Sequence, residues 1–270
     1  MNLQINISNR ICYILIMILL FGCSSEPSSE TKKSVENGIF LKYNFEQGDK
    51  YELIFDVEMK MEINGEKMVM AMKMEGFSHI NSVNNDIVES DFEWSRLYMS
   101  IDANGRKEVY DSDNPNESEF DNHMQEYVGP MIGARLPFLM QDNGKLISQP
   151  DYESLYTDPI MKAEMQGFNQ QLEGLYVEYP DKKMFLNDIW NATIVNEGIT
   201  SEVKYTFVDF TDDEYIFDIQ ADLSGQMEGY QHGILKIGMS DGMLTSSTST
   251  LISEDAGLEI NFIVSCKNIN

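Results

Sequence analysis

The chain has 270 residues and a mass of 30.9 kDa, enough for one large or two small domains with a real core. Lys and Arg total 19 against 45 Asp and Glu, a formal charge of -26, which excludes a protein that grips duplex nucleic acid through its phosphates. With 42% hydrophobic and 11% aromatic residues the chain can offset its ordering entropy, so wholesale disorder is excluded as well.

The first element in chain order is a processing signal. Arg10 is the only charge ahead of an apolar run from Ile11 to Phe21 that is too short to span a bilayer comfortably. Leu20-Phe21-Gly22-Cys23, followed by Ser24-Ser25, resembles a bacterial lipobox, with Gly22 before the cut and Cys23 as the acylated residue. The alternative is an ordinary signal peptide with an incidental cysteine. The lipobox reading makes residues 1–22 a lipoprotein signal peptide and anchors the chain to a membrane through lipid on Cys23, without spanning it. Removing residues 1–22 removes Arg10 and no acid, so the charge moves from -26 to -27. Cys12 leaves with the leader and Cys23 carries lipid. Cys266 is then alone, with no disulfide partner, and is expected as a buried strand-end residue. Residues 23–38, including the Ser- and Glu-rich stretch Ser24 to Gly38, have no periodicity and read as a flexible tether.

The period then switches to two. From Tyr51 to Ile63 every odd position is apolar and the even positions are polar except Ile54, the pattern of a long strand with one buried face. Asn64-Gly65 supplies a hairpin turn. Met68, Met70, Met72 and Met74 then line one face of the return strand, with Met59 and Met61 across the turn. Ile87 to Ile101 predicts a third strand, and Asn104-Gly105 turns it into a fourth over Lys107 to Tyr110. At Asn114 the pattern becomes helical: Asn114 as cap, Pro115 in the first position, Glu117 closing a capping box, and Phe120, Met124, Tyr127 and Met131 at helical spacing, with Gly129-Pro130 as the stop. Residues 132–140 and 145–149 predict a hairpin about Asn143-Gly144. A second helix is predicted from Pro159 to Glu173, capped by Asp158, with Met161, Met165, Phe168 and Leu172 on one stripe.

After Gly174 strands return, at 189–195, 201–210, 214–223, 233–239, 243–252 and 257–265, with turns at Asn196-Glu197-Gly198, Asp241-Gly242 and Ala256-Gly257. The expected architecture is mainly β. It consists of a long twisted antiparallel sheet or sheets, as a half-barrel or as two similar β halves (39–113 and 176–270), with a small helical insertion at 114–175. Gly48-Asp49-Lys50-Tyr51 and Asn187-Asp188-Ile189-Trp190 open the two halves in matching places.

The LFGCSS leader, the opening from Leu41 to Tyr51, the Tyr110-Asp111-Ser112 segment and Asn187-Asp188-Ile189-Trp190 look like uncharacterised lipoproteins of Bacteroidota, over most of the mature chain. The resemblance implies an outer-membrane lipoprotein. Members usually carry a Gly-Asp-x-Trp-like segment in the second half, where this chain has Asn187. More distantly, a curved sheet with helical cover resembles the half-barrel of periplasmic lipoprotein carriers and their lipid-binding relatives.

No HExxH, paired cysteine, G-x-S-x-G elbow, P-loop or dinucleotide fingerprint is present, and His79, His123 and His232 stand alone in sequence. The reading is therefore non-enzymatic, with no cofactor and no metal. Asp111 to Glu117 and Asp209 to Glu214 are acidic but do not have the pattern of a calcium loop, which needs glycine at its sharp turn and glutamate at its end; the first reads as a turn plus helix cap and the second as a solvated turn. The methionines at 59, 61, 68, 70, 72 and 74 have two readings. They are sheet core, or they are a soft, adaptable face for a lipid or other hydrophobic ligand. The corresponding functions are apolar-ligand or lipoprotein handling at the envelope, and a structural or protein-interaction lipoprotein with a closed core.

Overall fold

The computed structural model describes residues 35–63, 65–163, 165, 176–196 and 198–270. The expected leader, the expected lipidation site at Cys23, Asn64, Glu197, and Phe168 and Leu172 of the expected second helix lie outside the described residues.

Among the described residues, alternation of apolar and polar residues produces twelve strands: β1 (Lys50–Ile63), β2 (Glu66–Asn84), β3 (Ile87–Ala103), β4 (Arg106–Asp111), β5 (Arg135–Gln141), β6 (Leu146–Ser148), β7 (Ile189–Asn196), β8 (Ile199–Phe210), β9 (Glu214–Gly225), β10 (Gly229–Gly238), β11 (Leu244–Ser253) and β12 (Leu258–Asn268). All belong to one open antiparallel sheet in the order β6-β5-β3-β2-β1-β12-β11-β10-β9-β8-β7, with β4 beside β3. The two expected halves are thus one sheet, joined where the last strand pairs with the first: Tyr51 opposes Asn268 and Met61 opposes Leu258. β3 is long enough for two partners, β5 along Ile87–Glu93 and β4 along Tyr98–Ala103. The β3–β4 turn uses Asn104 and Gly105 at φ 55° and 80°, the left-handed values that those residue types tolerate.

One face of the sheet is apolar, and segments with little regular structure cover it. Ile39, Leu41, Tyr43 and Phe45 are buried at alternate positions of an extended stretch that bridges Met184 through Ile39. Tyr43 stacks on Tyr179 at 4.9 Å, and Phe138 meets Tyr176 at 5.3 Å. Helix α1 (Glu119–Val128) adds Met124 and Val128, and Tyr110 on β4 donates to Gln125 on α1 at 2.9 Å.

Three sequence expectations need correction. The tether does not run to Gly38: Val35 is buried and its carbonyl accepts the Gly38 N–H, so the folded unit begins before Gly38. Helix α1 is capped by Ser118, not Asn114, because Ser118 Oγ accepts the Asp121 N–H at 3.0 Å, while Asn116 Oδ1 is used in a local turn with the Ser118 N–H. The 135–148 hairpin is part of the main sheet through β3, so the expected insertion is not a separate unit. The second helix begins where expected, with Asp158 Oδ1 accepting the N–H groups of Ile160 and Met161.

Candidate functional site

The six methionines singled out in the sequence are brought together on the apolar face of β1 and β2. The register opposes Met59 to Met70 and Met61 to Met68, and places Val57 and Phe55 opposite Met72 and Met74. β3 continues each row, with Ala103, Ile101, Met99 and Leu97 opposite Met68, Met70, Met72 and Met74. Successive residues of one strand alternate faces, so a run of methionine at every second position necessarily makes a ladder on one face. Burial is graded along it. Met59, Met70, Met72 and Met74 are 0–4% exposed, Met68 is 9% exposed, and Met61 and Ile101 are only partly buried. The face is therefore sealed toward Phe55 and opens toward the β1–β2 hairpin, where Met61 and Met68 form its rim. This apolar stripe contains neither charge nor histidine.

The two acidic turns singled out in the sequence are held by their own polar contacts. Arg96 binds Asp111 in a fork, Nε to Oδ1 at 3.1 Å and Nη2 to Oδ2 at 2.8 Å, and also reaches Asp113 at 3.4 Å. That guanidinium occupies the acidic turn that superficially looks like a calcium loop, and its hydrogen bonds hold the Asp111 carboxyl below the usual range. In the second acidic turn Thr211 Oγ1 accepts the N–H groups of Asp213 and Glu214. Among the described residues no three His, Cys, Asp or Glu side chains converge as a metal site would require. Cys266 is buried against Leu53, and desolvation pushes its thiol well above the ordinary value, away from reactivity.

Sequence reasoning missed two buried polar arrangements whose members are far apart in the chain. Ser78 Oγ lies 3.0 Å from Ser90 Oγ and 2.8 Å from the Tyr176 hydroxyl, which fastens the 176–184 cover to β2 and β3. Among the described residues these hydroxyls bond one another and, through Ser90, the His79 carbonyl, and burial raises the Tyr176 pKa. The Tyr51 hydroxyl donates to Asp241 Oδ2 at 3.0 Å and the Tyr179 hydroxyl to the Gly242 carbonyl at 2.6 Å, which ties the β10–β11 turn to β1 and to the cover. No local spacing carries either signal.

The two segments that open β1 and β7 share one hydrogen-bond pattern. Asp49 Oδ2 accepts the Glu46 N–H at 2.8 Å, and Asp188 Oδ2 accepts the Phe185 N–H at 2.9 Å. Gly48 N–H and Asp49 C=O both bond Ile80; Asn187 N–H and Asp188 C=O both bond Phe207. Gly48 and Asn187 each have positive φ, 97° and 71°. Asparagine thus stands at Asn187 because, after glycine, it is a residue type that tolerates the left-handed region.

These features define a single open antiparallel β sheet with an aromatic- and methionine-rich face under an irregular cover. The chain belongs to the family described as "Family of unknown function (DUF6263)", which matches residues 85–258. No curated protein matches it. Among solved structures it is similar to the COG4313 outer membrane channel from Pseudomonas putida F1 (5% identity, TM-score 0.29, 83% of this chain and 97% of that one). It is also similar to a DUF1329 family protein from Desulfovibrio piger (8%, 0.26, 90% and 94%) and to a β-barrel-like DUF1849 protein from Brucella abortus (8%, 0.25, 84% and 100%). Similarities this slight carry no argument about function, and the fold is read from the strand pairings themselves.

Proposed function

We propose that this chain is a non-enzymatic envelope protein, held at the outer membrane by lipid on Cys23, whose methionine face takes up an apolar ligand such as an acyl chain. The observation that carries the reading is the ladder itself: Met59, Met61, Met68, Met70, Met72 and Met74, joined by Met99, gathered on three adjacent strands, with Met61 and Met68 at an incompletely buried rim. Thioether side chains have three rotatable bonds and can repack around guests of varied shape. The lipobox and the apolar leader support attachment at a membrane, where such a guest is available.

The second reading is a protein-interaction lipoprotein with a closed core. Burial of Met59, Met70, Met72 and Met74 to 4% exposure or less favours it.

Native mass spectrometry of protein extracted from the envelope separates the two. Carriage predicts a retained hydrophobic adduct, and uptake of a fluorescent fatty acid by delipidated protein. Met61→Gln combined with Met68→Gln, both at the rim, should abolish uptake while cooperative unfolding persists. A wild-type protein with no adduct and no uptake would leave the closed-core reading standing. The lipid anchor is checked separately, by intact mass of the membrane fraction: a soluble product beginning anywhere but Cys23 would refute it.

A further inference from the structure

Open sheets have two edges, and here they are built differently. On one side β4 carries Arg106, Lys107, Glu108 and Asp111 within six residues, and β6 is only three residues long. Both are familiar means of discouraging strand addition. On the other side β7, of sequence IWNATIVN, has eight residues with no charge and no proline, in a chain of formal charge -26. Among the described residues it pairs with β8 alone. β1, the strand that opens the first half with the same hydrogen-bond pattern, has its corresponding edge covered by β12 along Tyr51–Met61.

The direction of the free backbone groups follows from the register. Phe207 N–H donates to Asp188 C=O at 3.0 Å, and bonded pairs recur at every second residue of an antiparallel ladder. Trp190, Ala192 and Ile194 therefore bond β8, while Ile189, Asn191, Thr193 and Val195 turn their N–H and C=O groups outward. The Ile189 carbonyl accordingly meets Lys182 Nζ, at 3.1 Å, instead of β8.

The strand is also self-complementary about Ala192. When a second copy is laid antiparallel with Ala192 on the two-fold axis, Ile189 faces Val195, Trp190 faces Ile194, Asn191 faces Thr193 and Ala192 faces itself. Every apolar residue meets an apolar one and every polar residue a polar one. The register is even, so the apolar faces of both sheets stay on the same side. Asn191 with Thr193 is also a pair whose outward backbone groups can exchange hydrogen bonds, and Ile189 with Val195 becomes a second such pair where Lys182 Nζ yields or shares the Ile189 carbonyl. Ile189 and Val195 are 41% and 67% exposed in the single chain, and the pairing covers both in each copy.

We infer that β7 is a homodimerisation edge, at which two copies of this chain join their sheets antiparallel across Ala192. The inference does not depend on ligand carriage. An isologous contact of this kind closes on itself and produces a dimer, not a filament. Both copies are strongly acidic, so the association strengthens as salt screens their repulsion, the opposite of an interface held by ion pairs.

The test uses the full chain solubilised in mild detergent. Sedimentation should show a dimer whose population rises between low and physiological salt. Thr193→Pro removes an outward N–H at a position where an edge strand tolerates proline, and should leave a monomer with an unchanged circular dichroism spectrum. Thr193→Ala, which loses the same side chain but keeps the N–H, should remain dimeric. Ala192→Cys lies on the two-fold axis and should form an intermolecular disulfide under mild oxidation, well above the wild-type background. Thr193→Cys, offset from its own copy, should not. If Thr193→Pro fails to fold, the cysteine pair decides the matter. A wild-type protein that stays monomeric at tens of micromolar in physiological salt overturns the inference. So does a dimer that survives Thr193→Pro, or one that cross-links no better through Ala192→Cys than through Thr193→Cys.

Discussion

Replacing Lys236 should expose how one charged pair is held on the outer side of the sheet. The Lys236 side chain is only 8% exposed, its Nζ lies 2.9 Å from Glu214 Oε2, and Glu214 Oε1 accepts the Thr245 hydroxyl at 2.6 Å. Lys236→Met removes the cation and leaves a carboxylate that has 23% of its side-chain surface in water. Breaking a fully buried pair costs about 3–5 kcal/mol; the residual hydration of Glu214 and its Thr245 bond put this case near the lower end, about 2–3 kcal/mol. For a protein of this size that is a fall in Tm of roughly 5–10 °C. Lys236→Met combined with Glu214→Gln removes both charges and keeps an acceptor for Thr245, so the double variant should lose only about 1 kcal/mol. The assay is urea unfolding of wild type, both single variants and the double variant, read by circular dichroism and closed as a double-mutant cycle. A double variant whose loss equals the sum of the single losses would show that the two groups do not depend on each other, and would refute the reasoning.

Other outcomes follow from the same geometry. Asp111, held below its usual pKa first by its hydrogen bonds from Arg96, contributes stability that is complete above the unfolded carboxyl pKa and is lost as pH falls through the lower folded value; Asp111→Asn should flatten this acid limb in urea midpoints measured from about pH 5 to pH 2. Burial raises the hydroxyl pKa of Tyr43, Tyr152, Tyr176 and Tyr179, and pushes that of Tyr205 up to about 12. Their contribution is present below the unfolded value of about 10 and declines as pH rises above it, so ultraviolet titration should find these groups ionising only with the loss of fold. Asn187→Gly should change stability by less than about 0.5 kcal/mol, whereas Asn187→Ala should cost about 1–2 kcal/mol in chemical unfolding, because alanine strains at φ 71°.

Much of the strand inventory was legible in the sequence because alternation and turn chemistry are local. A strand with methionine at 68, 70, 72 and 74 has no choice but to stack those side chains on one face, and β2 does so. Asn104-Gly105, Asp241-Gly242 and Ala256-Gly257 mark turns, and Gly105, Gly242 and Gly257 all have positive φ there. The α1 cap was misplaced by four residues because Asn114, Asn116 and Ser118 are all competent caps. Only the position of Asp121 relative to Ser118 decides among them.

What the sequence alone determined, then, was which residues extend, which turn, and which side of each strand is apolar, since a period of two requires no knowledge of distant neighbours. Tertiary structure decided the rest. It joined β1 to β12 and left β7 as an edge; it set β4 and β5 on two stretches of β3, and drew residues 39–45 and 176–184 over the apolar face. Strand partners are chosen by hydrogen bonds between backbones, which are chemically alike in every strand. The selection comes from burying all the apolar faces together, a property of the whole chain that no window of its sequence contains.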